Sequence, residues 1–93
     1  MAVKPRTENR EDLRTKIFVG GLSHMITSDS LKAKFEVYGL VVDAIIIFDR
    51  ETGRSKGFGF VTYDDPLDAK SAVDNLNETE FEGRTIKVTY ATE

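Results

Sequence analysis

The 93-residue sequence has no cysteine, no tryptophan, a single histidine (His24) and only two prolines. Without cysteine there is neither a disulfide framework nor a thiolate metal site, and one imidazole does not assemble a structural zinc centre. No apolar run approaches the roughly 20 residues that cross a bilayer, and the opening Met1-Ala-Val-Lys-Pro-Arg6 lacks the apolar stretch of a secretory signal. The chain therefore reads as a soluble intracellular protein, with no cofactor, metal or membrane to bind. Excess positive charge is missing too. The net charge is −3, which excludes a nucleic-acid partner held mainly by bulk charge. That average hides an asymmetry, because residues 64–82 alone carry seven acidic groups and one basic group, net −6.

What remains suffices for one folded domain with a single core, at 40% hydrophobic and 31% charged residues. Residues 1–15 are polar, of mixed charge and without sustained period, and read as a flexible tail preceding a domain over 16–92. Lys16-Ile-Phe-Val-Gly-Gly-Leu22 is a short apolar strand ended by glycines. Thr27 caps a helix whose Leu31, Phe35 and Tyr38 recur on one face until Gly39 stops it. The β-branched stretch Val41–Phe48 gives a second strand, followed by the polar loop Asp49–Lys56 with Gly53 available for a left-handed turn. Gly57–Tyr63 is the third strand. Asp65-Pro66 opens a second helix with Ala69, Ala72, Val73 and Leu76 on one face. Gly83-Arg84 makes a turn into a fourth strand, Thr85–Tyr90, for an order of βαββαβ.

Two of these strands are apolar on both sides. Ile17 and Val19 face one way and Phe18 the other, while Val61 and Tyr63 oppose Phe58 and Phe60. Two helices of ordinary length cover about one face of a four-stranded sheet, so one apolar face stays open as a binding surface. Periodicity does not say which. Hydrophobicity taken alone favours burying Phe58 and Phe60 and exposing Gly57 and Gly59.

Lys56-Gly-Phe-Gly-Phe-Val-Thr-Tyr63 fills all eight positions of the octamer K/R-G-F/Y-G/A-F-V-x-F/Y, and Ile17-Phe-Val-Gly-Gly-Leu22 looks like its partner hexamer. Over residues 16 to about 92 the chain thus resembles an RNA recognition motif. It is most similar to eukaryotic single-motif glycine-rich RNA-binding proteins and heterogeneous nuclear ribonucleoproteins, through Phe18-Val-Gly-Gly-Leu-Ser23 and the run Asp49–Phe60. It departs from them in having no glycine-rich tail and in its acidity.

The resemblance implies a ferredoxin-like α+β sandwich: a four-stranded antiparallel sheet in order 4-1-3-2, two helices on one face, and single-stranded RNA on the other, in RNA processing or post-transcriptional regulation. Phe18, Phe58 and Phe60 would stack on bases, with Lys16 and Lys56 against the phosphate backbone and Thr62 beside them. On strand two Asp43, Ile45 and Ile47 would point outward, with Ala44 and Ile46 inward. On strand four Lys87 and Thr89 would point outward, with Ile86 and Val88 inward, and backbone groups of Tyr90 and Ala91 would complete the site. Gly57 and Gly59 fall on the inner face, where close helix packing would explain them. The expected state is a monomer.

Single-stranded DNA or another protein is the alternative partner. An enzyme is not expected. An acylphosphatase-like site on this scaffold needs an anion-binding arginine after strand one, and Ser23-His-Met-Ile-Thr-Ser-Asp29 has none.

Overall fold

The computed structural model describes residues 13–91. Strand β1 is Lys16–Gly20, helix α1 Ser28–Phe35, β2 Val41–Phe48, β3 Ser55–Tyr63 and α2 Pro66–Leu76. Two short strands, β4 (Glu80–Phe81) and β5 (Arg84–Thr85), precede β6 (Lys87–Tyr90). The main sheet is antiparallel in order β2-β3-β1-β6, the 4-1-3-2 order expected when β6 is counted as the fourth long strand. Both helices pack on one face, α1 against β2 and β3, α2 against β6, β3 and β1.

The helices begin where side-chain caps place them. The Thr27 hydroxyl accepts from the Ser30 amide, and the Asp65 carboxylate accepts from the Leu67 amide with Pro66 in the first helical turn. After α1 a 3-10 turn, Glu36–Tyr38, runs to Gly39, at φ +151°. A side chain at Gly39 would collide with Asp68 at the start of α2, so this glycine both ends the turn and lets the turn pack against α2.

Ile17, Val19, Leu31, Phe35, Val61, Tyr63, Ala69, Ala72, Ile86 and Val88 form the centre of the core between helices and sheet. The Tyr63 phenol is buried there and donates to the Phe35 carbonyl at 2.7 Å, so the ring's polar end is satisfied. Burial pushes its pKa upward, which keeps it a neutral donor throughout the physiological range.

Three expectations need amendment. The strand foreseen over Thr85–Tyr90 is broken, because Glu82 and Gly83 both take positive φ (52° and 84°) and turn β5 back onto β4 as a small hairpin. Only Lys87–Tyr90 joins the main sheet. Close helix packing is also not what Gly59 accommodates. A Cβ there would lie 2.2 Å from the Ile45 carbonyl oxygen and 3.2 Å from Ile46 Cα, so the constraint is the backbone of β2. Gly57 is set by conformation, at φ +84°, where its carbonyl accepts from the Leu22 amide. Finally, the expected tail over 1–15 falls mostly on residues 1–12, outside the described residues, but Thr15 is tied down, its carbonyl accepting from the Tyr63 amide at 2.9 Å.

Candidate nucleic-acid interface

The pairing register arranges the face opposite the helices into rows that run across the strands. Thr89, Phe18, Phe60 and Ile45 are directly paired, β6 to β1 to β3 to β2. On one side of this row Lys87 pairs with Gly20 and Gly20 with Phe58; on the other, Lys16 pairs with Thr62 and Thr62 with Asp43. Directly paired residues of an antiparallel sheet project to the same side, so the register brings ten of the eleven residues singled out in the sequence close to one another on one face: the nine just named apart from Gly20, together with Ile47 by alternation from Ile45. Lys56, two residues before Phe58, lies at the exposed start of β3, where the β2–β3 register shifts.

The three rings are half-buried and in mutual contact. Phe18 lies 5.5 Å from Phe58 and 5.9 Å from Phe60 between centroids, and Phe58 lies 6.2 Å from Phe60 at 88°. These tilted and edge-on arrangements hold the rings by quadrupole attraction. Gly20 is needed for this: a Cβ there would lie 2.8 Å from the edge of the Phe18 ring, so the missing side chain is what allows the ring to lean over the strand. That accounts for a glycine inside a strand, which otherwise weakens it.

The cations differ in what they touch. Lys16 Nζ sits 4.9 Å over the Phe60 ring. Lys87 Nζ is instead held 2.9 Å from the Glu78 carboxylate, whose pKa the lysine's hydrogen bond and charge lower. Lys87 is therefore partly neutralised before any partner arrives. The Ala91 amide, one of the backbone groups expected to face a ligand, donates to the Lys16 carbonyl and extends the sheet.

Sequence reasoning missed Arg14, assigned to the tail. Its guanidinium lies 4.0 Å over the Tyr90 ring, beside a shallow recess lined by Phe18, Phe60, Thr89 and Tyr90. No period marks residue 14, and a stack formed by two chain ends 76 positions apart leaves no local signal.

The β2–β3 loop is ordered by one carboxylate. Asp49 Oδ1 accepts from the amides of Glu51 (2.7 Å) and Thr52 (3.1 Å), and the Asp49 backbone bonds to Gly53 and Arg54. The hydrogen bond from Thr52, then that from Glu51, lowers the carboxyl's pKa below the usual aspartate value. A depressed carboxyl stabilises the fold above its unfolded pKa and loses that contribution as pH falls through the folded one. Acidification below the ordinary aspartate range is thus expected to release the Glu51 and Thr52 amides, seen as faster hydrogen exchange at those two positions while core amides stay protected. Unchanged protection of both amides after Asp49 protonates would contradict this role.

Residues 17–87 match the RNA recognition motif, and the chain belongs to that family. It is 48% identical over 77 residues to glycine-rich RNA-binding protein 3, mitochondrial, of Arabidopsis thaliana, a match covering 83% of this chain and 25% of that protein. The chain thus spans about a quarter of that relative's length. The crystal structure of RNA-binding protein PG1 superimposes with a TM-score of 0.82 at 43% identity, covering 85% of this chain and 95% of that one. The structure of the RNA15 motif with bound RNA (GU) does so with a TM-score of 0.75 at 29% identity, covering 84% and 83%. The domain is an RNA recognition motif similar to those of proteins named glycine-rich RNA-binding proteins, a family of binding modules rather than enzymes. Among the described residues no helix is long and apolar enough to cross a membrane.

Proposed function

We propose that this domain, acting as a monomer, binds single-stranded RNA on its open sheet face and serves RNA processing or post-transcriptional regulation. The observation that carries this reading is the cluster of Phe18, Phe58 and Phe60, three touching rings on the face that no helix covers. A ring stacks on any nucleobase, so such a platform binds single strands without demanding one sequence. Ile45 and Ile47 widen the apolar surface, Lys16 and Lys56 meet phosphates, and Thr62 and Thr89 offer hydroxyls to sugars and base edges. Asp68 and Asp74 of the acidic segment lie on α2, on the side of the sheet away from the platform, where they weaken the field over it less than their charge suggests, whereas Glu78 reaches Lys87. The names of the relatives and of the RNA15 complex support RNA as the ligand. Relatives called mitochondrial and chloroplastic widen the compartments to consider beyond nucleus and cytoplasm.

Heteronuclear NMR titration with a randomised pool of short RNAs tests the reading. The largest shifts are expected along β1 and β3, with α1 and α2 quiet. A silent sheet would overturn it, and shifts centred on the helices upon adding a protein partner would replace it with a protein-docking role. An equal response to the matching DNA pool would keep the stacking and remove the preference for RNA.

A further inference from the structure

Of the ion pairs among the described residues, Lys87–Glu78 alone joins two separate elements, whereas Lys32–Glu36 and Lys70–Asp74 each link neighbouring turns of helix. Its lysine stands on the platform, paired across to Gly20, over which the Phe18 ring leans. Its glutamate stands in the link between α2 and β4. Glu78 takes φ +64°, a left-handed position after a helix end that glycine or asparagine normally fills.

The surrounding backbone imposes that conformation. The Glu78 amide donates to the Ile86 carbonyl at 2.8 Å, the Ile86 amide donates to the Thr79 carbonyl at 2.9 Å, and Asn77 Oδ1 accepts from the Val88 amide at 2.9 Å. Residues 77–79 are thus fastened to the residues on either side of Lys87, and the Glu78 carboxylate meets the ammonium at 2.9 Å before any ligand arrives. An exposed ion pair adds little to stability, and glutamate is a poor choice for a left-handed residue. Fold stability therefore does not account for a glutamate at this position, whereas its hold on Lys87 does.

The consequence is electrostatic. A free lysine that meets a phosphate releases a counterion condensed on the nucleic acid, which supplies both affinity and salt dependence. Lys87 has to leave Glu78 first, and the abandoned carboxylate then takes up a cation from solution. One ion is released and one is captured, so the exchange yields little.

Building on the RNA-binding reading above, we propose that Glu78 is a built-in competitor of the RNA backbone, withholding Lys87 from phosphate and so setting the affinity and the salt dependence of the platform. Glu78 is a positioning residue, acting on RNA through the lysine. Lys16 and Lys56, which take part in no ion pair among the described residues, are left to meet phosphate.

The test is binding of a uridine heptamer, read by fluorescence anisotropy between roughly 50 and 500 mM salt. The proteins are the parent, Glu78→Gln, Lys87→Met, the double variant, and Glu80→Gln as an equal loss of charge nearby. Glu78→Gln is expected to steepen the slope of log affinity against log salt by about 0.7, the single-strand value for one phosphate, and so to bind about fivefold tighter at the low-salt end. Lys87→Met alone and Glu80→Gln should each stay within about twofold of the parent, and the double variant should lose the whole gain. Amide spectra unchanged away from the substituted positions show that the variants keep the fold. The assignment is overturned, with RNA binding left standing, by a Glu78→Gln protein that keeps the parent's slope, by a gain that persists when Lys87 is already methionine, by an equal gain in Glu80→Gln, or by a fivefold loss in Lys87→Met alone. Absence of binding in the parent and every variant overturns the RNA reading and the assignment with it.

Discussion

Replacing Phe58 and Phe60 together with alanine is expected to weaken binding of a uridine heptamer by roughly 2–6 kcal/mol, since each base stacked on an aromatic ring is worth about 1–3 kcal/mol. That is a loss of at least about thirtyfold, measured by anisotropy at one salt concentration, because affinity read across different salts would mix in the lysine contribution. The variant should still fold. Both rings stand on the face away from the helices, and Val61 and Tyr63, their alternating partners on β3, hold the core. Lost ring-to-ring contact removes about 0.5–1.5 kcal/mol per pair, so a modest fall in melting temperature accompanies the loss of affinity. A folded double variant that binds as tightly as the parent would remove the platform from the mechanism.

Gly59→Ala is expected to cost roughly 2–3 kcal/mol of stability, the upper range for forcing an extra carbon into a packed site. Elsewhere the same exchange often stabilises by about 0.4–1 kcal/mol through the unfolded chain. Here the added carbon meets the Ile45 carbonyl oxygen at 2.2 Å. No side chain can swing aside to relieve that contact. The backbones of β2 and β3 must separate, which breaks the Ile46–Gly59 pairing at the midpoint of β3. For a domain of this size the melting temperature should fall by roughly 10–20 °C, followed by circular dichroism. A variant that melts with the parent would mean that β2 shifts freely, and the rigidity of the sheet would have to be reconsidered.

Much of this architecture is legible in the residues themselves. Thr27 and Asp65 cap the helices they were expected to cap, and the two-sided apolar pattern of β1 and β3 requires a face that two helices cannot cover. Which face stays bare is less accessible. Val61 and Tyr63 compete with Phe58 and Phe60 for the core, and hydrophobicity alone favours the phenylalanines. What decides it is Gly59, which has no room for any side chain where it pairs with β2, and Gly20, which has to leave space for the Phe18 ring. Those are contacts between strands distant in sequence, invisible until the register is known. The β4–β5 hairpin escaped for a different reason: it depends on Glu82 adopting a left-handed conformation that glutamate rarely takes. The Lys87–Glu78 pair escaped because the two residues meet only after that hairpin has folded the intervening chain back.

The pairing of β2 with β3 loses register twice, once at Val42 and again beyond Ile46, and β6 at the opposite border is only four residues long. Irregular and short margins are poor templates for another strand to add to. A domain that must keep three bare aromatic rings in water is thereby discouraged from growing sideways into fibrils, so stickiness is confined to the flat of the sheet, where a ligand can use it.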